Sequence, residues 1–427
     1  MFETIKNAFA TKEIRIKIWM TLLFLLVYRI GCYIPVPGIN ASEVAGLIEG
    51  NDFLSIISTI TGGSMSNGTL FALGIVPFIN AFIIMQLLTL VIPALERLSK
   101  EGEDGKRKLT QITRYFAILL GIVQAIGIAL TWKSVILPTF GSTELTTALI
   151  IFILVGGSTM VMWLGERITE YGIGNGTSLI IFVGIISTAG TSFLGAFDTV
   201  GSNPNNLWRI FGIIILMVLV FLFIVFMDLS ERRVSVQYAK QIKGNKVYGG
   251  QSTHIPIKIN ASGVMPIIFA SSFLMFPQMI MILFWPDSKA YAWYAKNMGS
   301  GTWVYFVMLP LLILFFAYFY AQIQFNPEDV AKNIQQYGGT IPGIRQGKAT
   351  AEYLKKINNR ITLFGAIFLA IISLVPTFLF QAIGGQGLQF GNAFSATGLL
   401  IVVSVALEIN KQLESQIMMR HYKGFLQ

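Results

Sequence analysis

Residues 210–228 read IFGIIILMVLVFLFIVFMD, a stretch that carries no charge before its final aspartate. A helix needs about 20 apolar residues to cross the hydrocarbon core of a bilayer. Water is absent from that core, so the backbone of a crossing segment has to satisfy its own hydrogen bonds, as a helix does. This stretch alone therefore predicts a transmembrane helix.

Similar apolar stretches fill the rest of the 427-residue chain, which is 54% hydrophobic and only 12% charged. Charged residues make up about a quarter of a soluble domain, so the composition excludes that class. The first stretch is followed by IPVPG at residues 34–38 rather than by a small-residue cleavage site, and we expect it to be retained. We predict an all-α polytopic membrane protein with ten spans, near residues 16–34, 70–92, 113–132, 145–165, 177–194, 210–228, 264–284, 303–324, 361–380 and 394–409.

The basic residues indicate how these spans are oriented. Of the 31 Lys and Arg residues, 26 fall in the two tails and in every second gap between spans. Four lie on the opposite side and one, Arg29, lies within the first span. Because Lys and Arg are enriched in cytoplasmic loops, this distribution predicts ten crossings with both termini in the cytoplasm.

Two of the basic gaps are long. The predicted cytoplasmic loops at about residues 229–262 and 325–360 show no obvious structure of their own in the sequence. Long loops are commonly functional. Their Lys and Arg content suits an acidic partner or RNA phosphates, without indicating base-specific recognition.

Patterns typical of catalysis or metal binding are absent from the sequence. It contains no G-x-S-x-G, H-E-x-x-H or Walker motif. Cys32 is the single cysteine, and the two histidines, His254 and His421, lie far apart in the chain. Apart from Arg29, charged residues in the predicted spans sit near the ends, whereas ion pathways usually retain some in the middle. We therefore expect no enzyme, no metal and no cofactor.

The spans carry isoleucine at helical spacing instead. Ile75 and Ile79 are four residues apart, as are Ile181 and Ile185, so each pair lies on one helix face. Any one of these residues could be an ordinary lipid-facing or core side chain. Small and polar neighbours such as Gly74, Asn80 and Gly184 favour interior-facing helices.

Several longer motifs identify a resemblance. FALGIVPFINAFIIMQLL at residues 71–88 and WLGERITEYGIGNGTS at residues 163–178 closely resemble signatures of the SecY family, the channel subunits of the bacterial Sec protein translocase. GQSTHIPIK at residues 250–258, IPGIRQGK at 341–348 and LLIVV at 399–403 match in order and spacing. The resemblance covers the whole chain.

The resemblance implies two five-span halves, residues 1–198 and 199–427, related by inverted pseudo-symmetry around an hourglass pore. Apolar constrictions hold back water and ions by dewetting. The family's pore ring falls on Ile75, Ile79, Ile181, Ile185, Ile268 and Ile401. The short stretch at residues 53–65, too short to cross, matches the family's plug helix, with Ser55, Ile56, Ile57, Ile60, Gly62, Gly63 and Met65.

The same resemblance implies sites for lateral release and for partners. The family's lateral gate falls on Asn80, Gln86, Gln124 and Phe276, although the family usually has Ser or Thr at the position of Asn80. The partner-binding loops would present Arg232, Arg233, Lys240, Arg345 and Lys348. At Gln346 the family usually has proline, and we expect the exchange to loosen that turn.

The function implied is a gated channel in the bacterial plasma membrane for unfolded preproteins and membrane segments. Implied partners are SecE and SecG, the SecA motor ATPase, a ribosome with its nascent chain, signal peptides, preproteins and membrane lipids. An inverted-repeat secondary solute transporter is the main alternative. A third class, an intramembrane protease, lacks a nucleophile constellation.

Overall fold

The structure is a computed structural model that describes residues 8–49, 52–139, 141–198, 206–238, 241–243, 246–248, 252–260, 263–285, 288–299, 302–384 and 396–424. Helices dominate it. The first part of the chain forms α1 (Lys12–Gly31), α2 (Ala41–Glu49), α3 (Asp52–Ile60), α4 (Val76–Val91), α5 (Pro93–Lys100), α6 (Glu103–Thr131), α7 (Thr143–Tyr171) and α8 (Gly176–Asp198).

The second part adds a small β structure between long helices. Its elements are α9 (Asn206–Leu229), β1 (Glu231–Tyr238), β2 (Gln241–Lys243), β3 (Lys246–Tyr248), β4 (Ser252–Lys258), α10 (Met265–Phe284), α11 (Lys289–Asn297), α12 (Trp303–Gln324), α13 (Pro327–Gln336), β5 (Gly339–Thr340), α14 (Lys348–Gly384) and α15 (Ala396–Gly424).

The chain has several helices that could cross a membrane. Among the described residues, six are long and apolar enough, and a seventh is reached if α4 and α5, bent by 101°, count as one span. Each of the ten predicted spans overlaps a helix, but α1, α10 and α15 do not meet the same criterion. The multi-span helical class is therefore confirmed, and the total of ten stays a prediction.

The outer surface of α9 shows why these helices need a lipid environment. Phe211, Leu219, Leu222 and Phe226 on this helix are all exposed. Exposed apolar area of this extent does not persist against water in a monomeric soluble protein. The stretch of sequence that predicts a transmembrane helix thus forms one with an open apolar face.

Two apolar clusters make up most of the interior. The larger joins buried residues of α1, α4, α7, α8, α9, α10, α12, α14 and α15. The second joins Trp132, Leu154 and Met65, with further residues of α2, α3, α6 and α7. The segment from α3 to the start of α4 lies between the two clusters and contributes to both.

The long loops form a structure that the sequence analysis did not predict. Strand β1 pairs antiparallel with β4, with Val234 opposite Ile255, and its end pairs with β5 from the other loop. Behind this sheet, apolar residues of β1, β4, α13 and α14 form a separate small core that includes Val236 and Leu354. The alternating apolar residues of RRVSV at 232–236 are a strand signal, which the high charge of the loop obscured.

This small core predicts a local stability effect. Leu354 is fully buried in it, and replacing a buried leucine with alanine costs about 2–5 kcal/mol. We expect Leu354→Ala to accelerate tryptic cleavage within residues 229–262 and 325–360 of the membrane-embedded protein. The neighbouring exposed substitution Glu352→Ala is the control, and equal cleavage rates in the two variants would contradict this account of the core.

Candidate functional site

The structure describes all six isoleucines of the predicted pore ring. They arise from four helices or their caps, and they all belong to the larger apolar cluster or pack against it. Four are 3–6% exposed and two are partly buried. The four buried ones are Ile75, Ile181, Ile185 and Ile401, and the two partly buried ones are Ile79 and Ile268.

Local sequence explains how the α4 pair is placed. Pro77 lies in the first turn of α4, where proline is tolerated because its missing N–H has no helical acceptor. Ile75 is the cap residue, and Ile79 follows one turn later. Gly74 has a φ of +54°, and a Cβ there would lie 2.6 Å from Cγ2 of Thr61. Glycine at this position therefore lets the chain after α3 approach the start of α4.

Helix α3 ends against side chains of other helices. A nine-residue helix is marginal by itself, and its last carbonyls have no partner within the helix. Tyr28 Oη donates to the carbonyl of Thr61 at 3.4 Å, and Arg29 Nη1 donates to that of Gly62 at 3.0 Å. From α8, Thr188 Oγ1 lies 3.3 Å from the carbonyl oxygen of Thr59 and 3.1 Å from that of Gly184, and it shares its one proton between them. These three side chains hold the end of α3 in place.

Gly184 of α8 lets the same segment approach closely. A Cβ at this position would lie 2.4 Å from the carbonyl oxygen of Ile60 and 3.2 Å from the amide nitrogen of Gly62. Gly62 and Gly63 both have positive φ, a conformation that glycine adopts without steric cost. The backbone of α8 therefore meets the backbone of residues 60–62 one residue before Ile185.

The predicted plug residues are distributed over both apolar clusters. Ile57 and Met65 are buried in the second cluster, and Ile60 packs against the larger one. Ser55 is half-buried, and its carbonyl accepts a hydrogen bond from Thr59 at 3.0 Å. The side chain of Ile56 lies outside the described residues.

The predicted lateral-gate residues lie on helices that meet. Helix α10 packs against α4 and α6, and Phe276 of α10 contacts a small cluster that includes Ala81 and Ala117. Asn80 and Gln124 are 8% and 4% exposed, and Gln86 is half-buried. Gln86 Oε1 and Gln124 Nε2 have no hydrogen-bond partner among the described residues. A buried polar atom without a partner carries a desolvation cost.

The described members of the predicted partner-binding set lie on the surface of the small β structure and its neighbours. Arg232, Arg345 and Lys348 are exposed. Arg233 is also exposed and its Nε pairs with Glu231 Oε1 at 2.9 Å. Lys240 lies outside the described residues.

Gln346 differs from the expectation drawn from the sequence. Its Nε2 donates to the carbonyl of Gly339 in β5 at 3.0 Å, and Thr350 Oγ1 donates to the carbonyl of Arg345 at 2.8 Å. These bonds close the turn on both sides of Arg345. The residue that replaces the family's usual proline therefore fastens the turn rather than loosening it.

With this geometry established, the chain can be compared with known proteins. The SecY family model matches residues 69–410. Relatives named protein translocase subunit SecY from Streptomyces galbus and Bacillus subtilis (strain 168) are each 42% identical, with complete coverage of both sequences. The chain belongs to the SecY family. A further relative of that name, from Thermus thermophilus, is 39% identical over all of this chain and 98% of its own length.

Solved structures of SecY-type channels share the fold. One, described as the structure of a protein conducting channel, has a TM-score of 0.65 at 21% identity and covers 94% of this chain and 92% of its own. Sec61 in a canine ribosome–channel complex from the endoplasmic reticulum has a TM-score of 0.63 at 19% identity, with the same coverage. At such identities the likeness establishes the fold alone.

Sequence reasoning missed two charged residues, Arg29 and Asp228, whose side chains bond distant segments of the chain. Arg29 was noted only as an exception to the charge pattern, although a charge within a span is itself a signal of function. Asp228 was placed at the end of a span, and its carboxylate bonds two other segments. No signal in the sequence connects Asp228 with residues 32 and 176 positions away.

The close approach at Gly184 gives a test of how the 53–65 segment is held. Gly184→Ala inserts a methyl group against backbone atoms, and overpacking of this kind costs about 1–3 kcal/mol. We expect the backbone amides of residues 61–63 to exchange with deuterium about tenfold faster, as measured by mass spectrometry.

Gly190→Ala on the same helix is the matched control, because a Cβ there meets nothing within 4 Å. It should leave the exchange of residues 61–63 unchanged. Equal exchange in the two variants would contradict the proposed contact between α8 and the end of α3.

Proposed function

We propose that the chain is the central protein-conducting channel subunit of a Sec translocase, which passes unfolded preproteins across the plasma membrane and releases transmembrane segments sideways into the bilayer. The observation that carries this proposal is that six isoleucines from four helices lie in or against one apolar cluster, to which the segment after the short helix α3 also contributes. Family membership gives the same function independently.

The chemistry of the six isoleucines suits a general conduit. Branched aliphatic side chains offer no hydrogen-bond donor or acceptor, so they select no particular sequence in a passing chain. A narrow apolar constriction impedes water and ions by dewetting, while the side chains can yield to an extended polypeptide. We propose that these residues form the pore ring and that the 53–65 segment is the plug that closes it.

The helix contacts support a sideways opening. Helix α10 meets α4 and α6, and Phe276 of α10 packs against a small apolar cluster that includes Ala81 and Ala117. Gln86 of α4 and Gln124 of α6 each leave one buried polar atom without a partner among the described residues. We propose this contact, with Asn80 and Phe276, as the lateral gate.

The remaining assignments follow from charge and from the family. Residues 1–198 and 199–427 would form the two halves, and the basic distribution places both termini in the cytoplasm. The membrane would be the bacterial plasma membrane, with SecE and SecG as membrane subunits. The exposed basic residues of the cytoplasmic β structure would receive SecA or a ribosome. The channel itself has no enzymatic step.

The alternative of a secondary solute transporter is separated from this function by a crosslinking experiment. Ile79→Cys, made in a Cys32→Ser background, should crosslink to a secretory chain stalled in membrane vesicles. Phe226→Cys on the exposed face of α9 is the control and should not crosslink. A transporter would give no crosslink at residue 79 and would accumulate a labelled small solute.

The apolar character of the six isoleucines gives a second prediction. Ile401→Asn places an amide in the constriction, and the water it attracts should favour the open state. We expect export of a substrate with a defective signal sequence to rise about tenfold. This rise corresponds to a closed state that is less stable by about 1.4 kcal/mol relative to the open state. The measurement is the exported fraction in cells.

Ile401→Val is the control for this variant, since it keeps the site apolar at slightly smaller volume. It should retain discrimination against the defective signal. If Ile401→Asn is present at a normal level and discriminates as well as Ile401→Val, residue 401 does not line the constriction.

A further inference from the structure

Asp228 connects three segments of the second half of the chain. It is half-buried near the end of α9. Its Oδ1 accepts a hydrogen bond from Nδ2 of Asn260, and its Oδ2 accepts one from Oγ of Ser404, both at 2.7 Å. Bonds to an ionised carboxylate are shorter and stronger than neutral ones. We call this set of three side chains the Asp228 bridge.

One end of the bridge reaches a helix that carries one of the six isoleucines. Ser404 is 8% exposed and lies on α15, three residues after Ile401. Three residues correspond to less than one turn, or about 4.5 Å along the axis. The bond from Asp228 therefore fixes the height and rotation of α15 next to the point where Ile401 enters the cluster.

The other end reaches the start of α10, which carries Ile268. Asn260 is 7% exposed, and its carbonyl accepts the amide of Gly263 at 3.3 Å. Val264, the cap residue of α10, follows directly and is buried in the larger cluster. Asp228 thus holds the approach to α10 as well as α15.

The bridge also lies at the base of the cytoplasmic sheet. Ser230 precedes β1 and Ile259 follows β4, and the Ile259 amide donates to the Ser230 carbonyl at 3.1 Å. The paired strands therefore lead directly into Asp228 on one side and Asn260 on the other. A displacement of this sheet would be transmitted to both residues of the bridge.

A lysine lies near the bridge. Burial lowers the pKa of Lys411, and the neighbouring Lys258 lowers it further, while the charges of Asp228 and Glu231 raise it. Lys411 is therefore close enough to Asp228 to interact with its charge. The two oxygens of the Asp228 side chain accept one hydrogen bond each.

We infer that Asp228 is a positioning residue that sets the register of α10 and α15. In this role it keeps Ile268 and Ile401 within the closed constriction. It also ties both helices to the base of the cytoplasmic sheet. This inference rests on the proposed function, because it assigns a role in closing the same channel. The role is carried by the two hydrogen bonds and not by contact with a passing chain.

The test measures closure directly, in lipid vesicles that contain the purified full chain with its membrane partners. Without substrate, Asp228→Ala should raise the passive ion leak about tenfold, and Ser404→Ala should raise it severalfold. Both variants should also increase transport of a substrate with a defective signal. The double variant should leak no more than Asp228→Ala alone, because both changes remove the same bond.

Thr362→Val is the matched control. It removes another buried hydroxyl, whose bond to the carbonyl of Asn358 at 2.8 Å stays within its own helix, and it preserves side-chain shape. It should leave the leak unchanged. Thermal unfolding of all variants is measured alongside, since a purely structural role for Asp228 would lower the melting temperature without raising the leak of the folded protein.

The outcomes separate this inference from the proposed function. If the unmodified chain does not transport a substrate with an intact signal, the proposed function fails. If it does transport, and Ser404→Ala and Asp228→Ala leak no more than Thr362→Val, the inference alone is overturned. Additive leaks in the double variant would also overturn it, since the two residues would then act separately.

Discussion

Branched apolar side chains in the interior of a membrane protein exclude water only while the helices that carry them stay in register. The rest of this structure depends on that constraint. The six isoleucines come from elements far apart in sequence, so no single helix can align them. Short apolar contacts are individually weak. Directional polar bonds supplement them: Arg29 and Thr188 bond carbonyls at the end of α3 and just after it, and Asp228 bonds Ser404 three residues after Ile401.

The bonds from Arg29 and Thr188 also satisfy backbone groups that lipid could not. The turns after α3 lie deep in the molecule, where an unpaired carbonyl is costly. Side chains of α1 and α8 supply the donors, and glycines at 62 and 184 bring the backbones close enough to exclude water. The segment also contributes Ile57 and Met65 to the second apolar cluster, so the hydrogen bonds add to apolar packing in holding it in place.

The sequence predicted the helical membrane class well, because long apolar runs such as residues 210–228 have few structural alternatives. Spacing of Ile75 with Ile79 and of Ile181 with Ile185 indicated interior faces, and the resemblance added Ile268 and Ile401. Other features were out of reach for physical reasons. The pairing of β1 with β5 joins two different loops, and bonds such as that between Asp228 and Ser404 depend on tertiary packing that leaves no local periodicity.

The central claim is that a translocating chain passes between the six isoleucines. The most direct measurement is an experimental structure, by electron cryomicroscopy, of the full chain in lipid nanodiscs with a secretory polypeptide stalled during transport. Our account predicts continuous polypeptide density bordered by Ile75, Ile79, Ile181, Ile185, Ile268 and Ile401, with the 53–65 segment moved from its place beside Gly184. Density that follows another route, while these side chains remain packed against each other, would contradict it.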